Sequence, residues 1–296
     1  MKNLNFFYCF FLQIFWISAV LGQSNTKKVI LHGHNAYTLD QKNDFLYLEV
    51  FSLSQNIQGK PSKKIPLKIK YSNNFSYPFA WDMADSANAL IVELISNDRF
   101  WANTHFIDVP INKLFTSSSA TIGEHIKYIG GSMTPLNYKL FWQAKGFDLN
   151  EELHFDIARP DTSHLRLFTH CKSRTELEVW SFDITQDLSK LRDTIMVEEF
   201  RRYWKNEANY PLALDGYFSA LTCKGKNYIV TQDGAVYRLD GKTAEVVKRL
   251  PGRLDNGILI VNKDTDEVHY LPARAFRQDR SLAESMRLEG AKILPE

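Results

Sequence analysis

Trp81-Asp82-Met83-Ala84, then Ala89-Leu90-Ile91-Val92-Glu93-Leu94, then His105-Phe106-Ile107-Asp108-Val109: this stretch holds the unit that decides the fold. Each run is short, rich in β-branched and aromatic residues, and bounded by polar turn residues, as β-strands are. One strand carrying an Asp leads into two strands of alternating character. The order returns at Phe155-Asp156-Ile157-Ala158, followed by His164–Phe168 and Leu177–Phe182. It returns again at Asp215-Gly216-Tyr217-Phe218, followed by Tyr228–Thr231 and Ala235–Leu239. Paired runs also occur at Asp44–Val50 with Ile65–Ile69, and at Ile258–Val261 with Glu267–Leu271. The chain is therefore expected to be all-β.

A strand feeding a hairpin, repeated, resembles the blade of a β-propeller. The resemblance runs from about Asn43 to Leu271 and is one of architecture, not of a named family. Trp81-Asp82 is the single Trp-Asp pair, and Gly130-Gly131 stands alone, so neither the WD nor the kelch pattern is present. The resemblance implies an irregular β-propeller of about five or six blades, at about 45 residues per blade. The long gap before Phe155 has room for a further unit, with Ile126–Ile129 and Tyr138–Trp142 as strands. A β-sandwich is the competing expectation, since it also gives short strands with turn signals.

Two segments break the pattern. Val197–Trp204 places Val197, Phe200, Tyr203 and Trp204 near one helical face, so a short helical insertion is expected there, ended by Pro211. From residue 276 to 296 the charged tail reads as a short docked helix or a frayed end.

The compartment is read from the start of the chain. Lys2 precedes an apolar run from Phe6 to Leu21, ending in Ala19-Val20-Leu21-Gly22. This is the layout of a secretory signal peptide over residues 1–22, with a propeller-like domain over 23–275. The run is shorter than the roughly 20 residues a membrane span needs, and no later stretch is apolar enough. The mature protein is thus expected to be exported to a periplasmic, cell-surface or extracellular location, without a transmembrane span. The charge balance of 36 basic against 34 acidic residues removes the usual reason to expect nucleic acid as partner. Cys171 and Cys223 remain after the leader and can form one disulfide in such a compartment. Asn74-Phe75-Ser76 is a glycosylation sequon if the host is a eukaryote.

Candidate chemistry is sparse. Asp82, Asp156 and Asp215 occupy similar places in three units and are candidate glycosidase carboxylates, which must stand about 5–10 Å apart; turn capping is the alternative role. His32-Gly33-His34, read as the end of a strand, puts two imidazoles on one face and can begin a metal site with Asp40 or Asp44. Trp101, in a polar stretch, and Trp204 are candidate contacts for a sugar or protein partner. The acidic run Asn262–Glu267 lacks the central Gly of a calcium loop and is expected to be a hairpin turn. There is no Gly-x-Ser-x-Gly elbow and no phosphate-cradling loop. No cofactor is implied. The leading expectation is an exported, non-enzymatic binding protein with a protein or glycan partner. A carbohydrate-active enzyme using the aspartates and a structural surface or matrix component are the rivals.

Overall fold

The computed structural model describes residues 28–42, 45–54, 61–70, 79–86, 89–98, 101–114, 117–118, 121, 124, 127–130, 153–160, 163–171, 174–183, 204–275 and 280–295. The expected leader, Asn74, Tyr138–Trp142 and residues 197–203 of the expected helix lie outside them.

The described chain is mostly β, and its strands follow one another in groups. The first group is β1 (Lys28–His32), β2 (Asn35–Lys42), β3 (Phe45–Ser52) and β4 (Lys63–Lys70). The second is β5 (Phe79–Ser86), β6 (Ala89–Asp98), β7 (Trp101–Pro110) and β8 (Lys127–Gly130). The third is β9 (Leu153–Ala158), β10 (His164–Cys171), β11 (Glu176–Asp183) and β12 (Trp204–Pro211). The fourth is β13 (Phe218–Cys223), β14 (Lys226–Thr231), β15 (Ala235–Asp240) and β16 (Thr243–Arg249). Last come β17 (Gly257–Asn262), β18 (Glu267–Pro272) and β19 (Ala291–Leu294).

The second, third and fourth groups are each a four-stranded antiparallel meander in sequence order. The first group and β17–β19 share one seven-stranded sheet, in the order β19-β18-β17-β1-β2-β3-β4. The join is a parallel pairing of β1 with β17, from Lys28 opposite Leu259 to Leu31 opposite Asn262. The first strands of the groups neighbour one another, β5 beside β9 and β9 beside β13.

Alternation explains the seams between sheets. In β3, Leu46, Leu48 and Val50 point inward, and they pack with Trp81, Met83, Ile107 and Val109 of the second sheet. Phe168, Leu177 and Val179 of the third sheet pack with Phe218, Ala220 and Ile229 of the fourth. Leu221, Tyr228 and Val230 of the fourth pack with Leu259, Val268, Tyr270 and Ile293 of the last group. Each fully buried Val, Leu, Ile, Phe or Met among them contributes about 1.5–3 kcal/mol. Tyr270 packs so closely over β17 that a Cβ on Gly257 would stand 2.4 Å from its ring, which is why glycine opens that strand.

Three expectations need correction. Trp204 opens strand β12, not the end of a helix, and Pro211 closes that strand. From Glu207 the pattern is one of period two: Glu207 and Asn209 are exposed while Ala208 and Tyr210 turn inward. The polar face hid it. In the tail, Leu282–Glu289 is a helix N-capped by Ser281, but Ala291–Leu294 is no frayed end. It adds β19 to the sheet and buries Ile293 and Leu294 completely. Finally, Lys127–Ile129 lies in β8, the outer strand of the second sheet, and does not start a new unit.

Candidate functional site

The strands that open the second and third groups carry Asp82 and Asp156 at the same place, after an aromatic residue. Both carboxylates are buried, Asp156 completely and Asp82 to 4% exposure. Each accepts from its own following amide at 2.8 Å, Met83 N in one case and Ile157 N in the other. Each also accepts from the next group at 2.8 Å: Arg159 N, just past β9, donates to Asp82 Oδ2, and Ala220 N in β13 donates to Asp156 Oδ2. The pattern therefore ties successive sheets through buried, charge-assisted bonds.

Two lysines complete the cluster. Lys28, buried at the start of β1, places Nζ 3.4 Å from Asp156 Oδ2, Trp81 O and Ile157 O. Lys263, just after β17, places Nζ 2.8 Å from Asp82 Oδ1 and remains a quarter exposed. Burial pushes the Asp82 carboxyl up, but Lys263 and Lys28 more than reverse this and hold it below its ordinary range. Burial also pushes Asp156 up, and there Lys28, the two amides and the Ser219 hydroxyl fail to offset it. That hydroxyl donates to Asp156 Oδ2 at 3.1 Å.

Asp215 does not join them. It is exposed, in the bend before β13, because that strand begins at Phe218. Ser219 holds the equivalent place: Phe218-Ser219-Ala220 matches Trp81-Asp82-Met83 and Phe155-Asp156-Ile157. The aromatic residue before the polar one was the signal for the right alignment. Lys28 was missed altogether, because it reads as the second of two lysines ahead of the apolar strand Val29-Ile30-Leu31.

From the cluster a polar path leads outward to three linked turns. Lys263 N donates to Leu31 O at 2.9 Å. Asp264 accepts Gly33 N at 2.7 Å and stands 2.8 Å from His32 Nδ1. Asp266 accepts from Lys224 N, and its carbonyl accepts from Cys223 Sγ at 3.2 Å. The run from Asn262 to Glu267 is the β17–β18 hairpin turn, shaped by Asn262 Oδ1 accepting from Asp264 N and Thr265 N.

The histidines differ from expectation. β1 ends at His32, and Gly33-His34 forms the turn, with Gly33 at φ 59°. His34 is exposed, so the two imidazoles do not share a strand face. Among the described residues, no group of three or more His, Cys, Asp or Glu is placed to hold a metal ion. The disulfide is likewise corrected, since Cys171 and Cys223 are buried thiols with no bridge between them. Cys171 alternates with His170 and Phe168, so it faces away from the seam with the fourth sheet, whereas Cys223 packs in the next seam. Burial pushes the Cys223 thiol up to about 11, which makes it an inert thiol. Trp101 opens β7 opposite Asp98, and Trp204 opens β12 opposite Phe182. Trp180, in the alternating strand β11, is buried in the core.

No family model matches the chain, and no curated protein matches it. Among solved structures it is similar to PorZ, a bacterial surface component of the type-IX secretion system of Porphyromonas gingivalis. The TM-score is 0.32 and the identity 10%, over 86% of this chain and 32% of that one. The chain thus spans about a third of that protein's length, and a likeness at that score carries no inference about function. Among the described residues, no helix is long and apolar enough to cross a membrane.

Proposed function

We propose that the chain is an exported, non-enzymatic binding protein built as a five-bladed β-propeller. The four groups and β17–β19 are its blades, and β1 against β17 is its clasp. Support for the ring comes from neighbouring first strands and from packed seams between successive sheets. The binding surface is the end where the turns at Gly33-His34, Lys224-Gly225 and 263–266 are tied together, and the partner is a protein.

The observation that carries the non-enzymatic reading is the state of Asp82 and Asp156. A catalytic pair must reach a substrate, yet these two are buried and spend their oxygens on amides of the next sheet. Their work is to hold sheets together.

The test is a thermal-shift panel of sugars, glycans and divalent ions, with a chelator control, followed by hydrolysis assays. A saturating ligand at about a hundredfold excess over Kd adds about 2.7 kcal/mol. The reading expects no turnover of any glycan, and lower melting temperatures for Asp82→Asn and Asp156→Asn. Glycan hydrolysis by the wild type, abolished in a folded Asp82→Asn variant, overturns it. Partner binding is then expected to weaken on replacing exposed His34 or Lys224 with Ala, without loss of stability.

A further inference from the structure

Lys28 Nζ lies 3.4 Å from Asp156 Oδ2 and equally far from two backbone carbonyls. A charge-assisted hydrogen bond closes to about 2.7–2.9 Å, so none of these contacts is tight. Nζ therefore lies against the carboxyl without a tight bond to any of the three oxygens. The two side chains are 3% and 0% exposed, which keeps water from the pair. The carboxyl is fixed by three donors: Ser219 Oγ and Ala220 N on Oδ2, and Ile157 N on Oδ1. Donors so aimed stabilise the oxyanion that develops when such a carbon is attacked. A second carboxylate, Asp82, follows Trp81, whose carbonyl contacts Nζ, and it feels the charge of Lys28.

We propose that Lys28 and Asp156 become joined by an intramolecular isopeptide bond once this buried cluster has assembled. The Lys28 ammonium first passes a proton to the Asp156 carboxylate, leaving a neutral amine beside a neutral acid. The Nζ lone pair attacks Cγ, the C–N bond forms, and the C–O bond to the hydroxyl breaks. The surplus proton on nitrogen passes to that hydroxyl, which leaves as water. The sum is an ammonium and a carboxylate giving an amide and one water, with no oxidant or other reactant. Burial of Asp156, which raises its carboxyl above the ordinary range, favours the neutral acid the step requires.

The link joins β1 to β9 across 128 residues of sequence. Like a disulfide, it restricts the unfolded chain, and it does so in a protein whose described cysteines form no bridge.

The test is mass spectrometry of the purified full chain, digested under denaturing conditions. The expected product is a branched peptide carrying Lys28 and Asp156, one water lighter than its two parts, with both linear peptides depleted. Lys28→Arg is expected to abolish it. Asp156→Asn is expected to yield a branched peptide of the same mass, by loss of ammonia. Asp82 is a positioning residue in this scheme: Asp82→Asn is expected to slow closure after refolding while the circular dichroism spectrum stays native. Quantitative recovery of the linear Lys28 and Asp156 peptides from long-incubated, folded wild-type protein overturns the proposal. That result needs no variant to fold.

Discussion

Asp82 and Asp156 hold one place in two successive sheets and accept the same two kinds of backbone bond, yet their carboxyls move in opposite directions. The difference lies in what else reaches them. Asp82 has Lys263 at 2.8 Å and Lys28 nearby, whereas Asp156 has Lys28 alone at 3.4 Å and otherwise neutral donors. Backbone amides satisfy a buried carboxylate's geometry, but it is the number and closeness of cations that keep it charged. The repeat supplies the position, and the neighbouring turn supplies the electrostatics.

The largest effect expected is from Lys28→Met, which strips Asp156 of its cation and weakens the hold on Asp82. Leaving a buried charge without its partner costs about 3–5 kcal/mol, readable by urea unfolding. A loss no larger than that of a surface substitution would show that neither aspartate needs the cation.

The Asn variants sharpen the contrast. Asp82→Asn is expected to cost about 1–3 kcal/mol at neutral pH, and Asp156→Asn less, because the fold favours charge at the first and disfavours it at the second. Their pH dependences have opposite sign in the unlinked chain. Asp82 is held below its ordinary 3.8, so the wild type loses its advantage over Asp82→Asn as pH falls from there through the depressed value. Asp156 is raised, so the wild type loses stability relative to Asp156→Asn as pH climbs from 3.8 through the raised value. Once Asp156 is linked to Lys28 it drops out of the titration, and only the acid-side limb remains.

Ser219→Ala removes a donor from Asp156 alone and is expected to cost about 1 kcal/mol. A double-mutant cycle with Asp156→Asn should show coupling, and one with Asp82→Asn none. Smallest is Asp264→Asn on the rim, where His32 and Asp264 are 27% and 40% exposed. Its unfolding midpoint should move by no more than about 0.2–1 kcal/mol warrants.

Much of this was legible before any coordinates. The hairpins β6–β7, β10–β11 and β14–β15 stand in the alternation of Val, Ile, Leu and aromatic residues, because half of each strand must face a core. The recurring aromatic-Asp pair marked Asp82 and Asp156. The outer strands were harder. β19 is only four residues long, and β12, an edge strand, carries Lys205 and Glu207 where a central strand would carry Val or Ile. Asp215 misled because a repeat was aligned on the identity of the acid and not on the aromatic before it. Lys28 was illegible as a site residue because its partners come from two other sheets, and a pairing across 128 residues leaves no local pattern.

The parallel pairing of β1 with β17 has a consequence for timing. β1 lies at the start of the described chain, and its neighbour near the far end of it, so a ribosome releases the first half long before its partner exists. During that interval the edge of β1 that pairs with β17 waits without a mate. Folding is thereby deferred and slow, as it is for any topology dominated by distant contacts. If the chain is exported as proposed above, the delay is useful: a polypeptide that cannot close β1 on β17 while being made stays threadable until it has crossed.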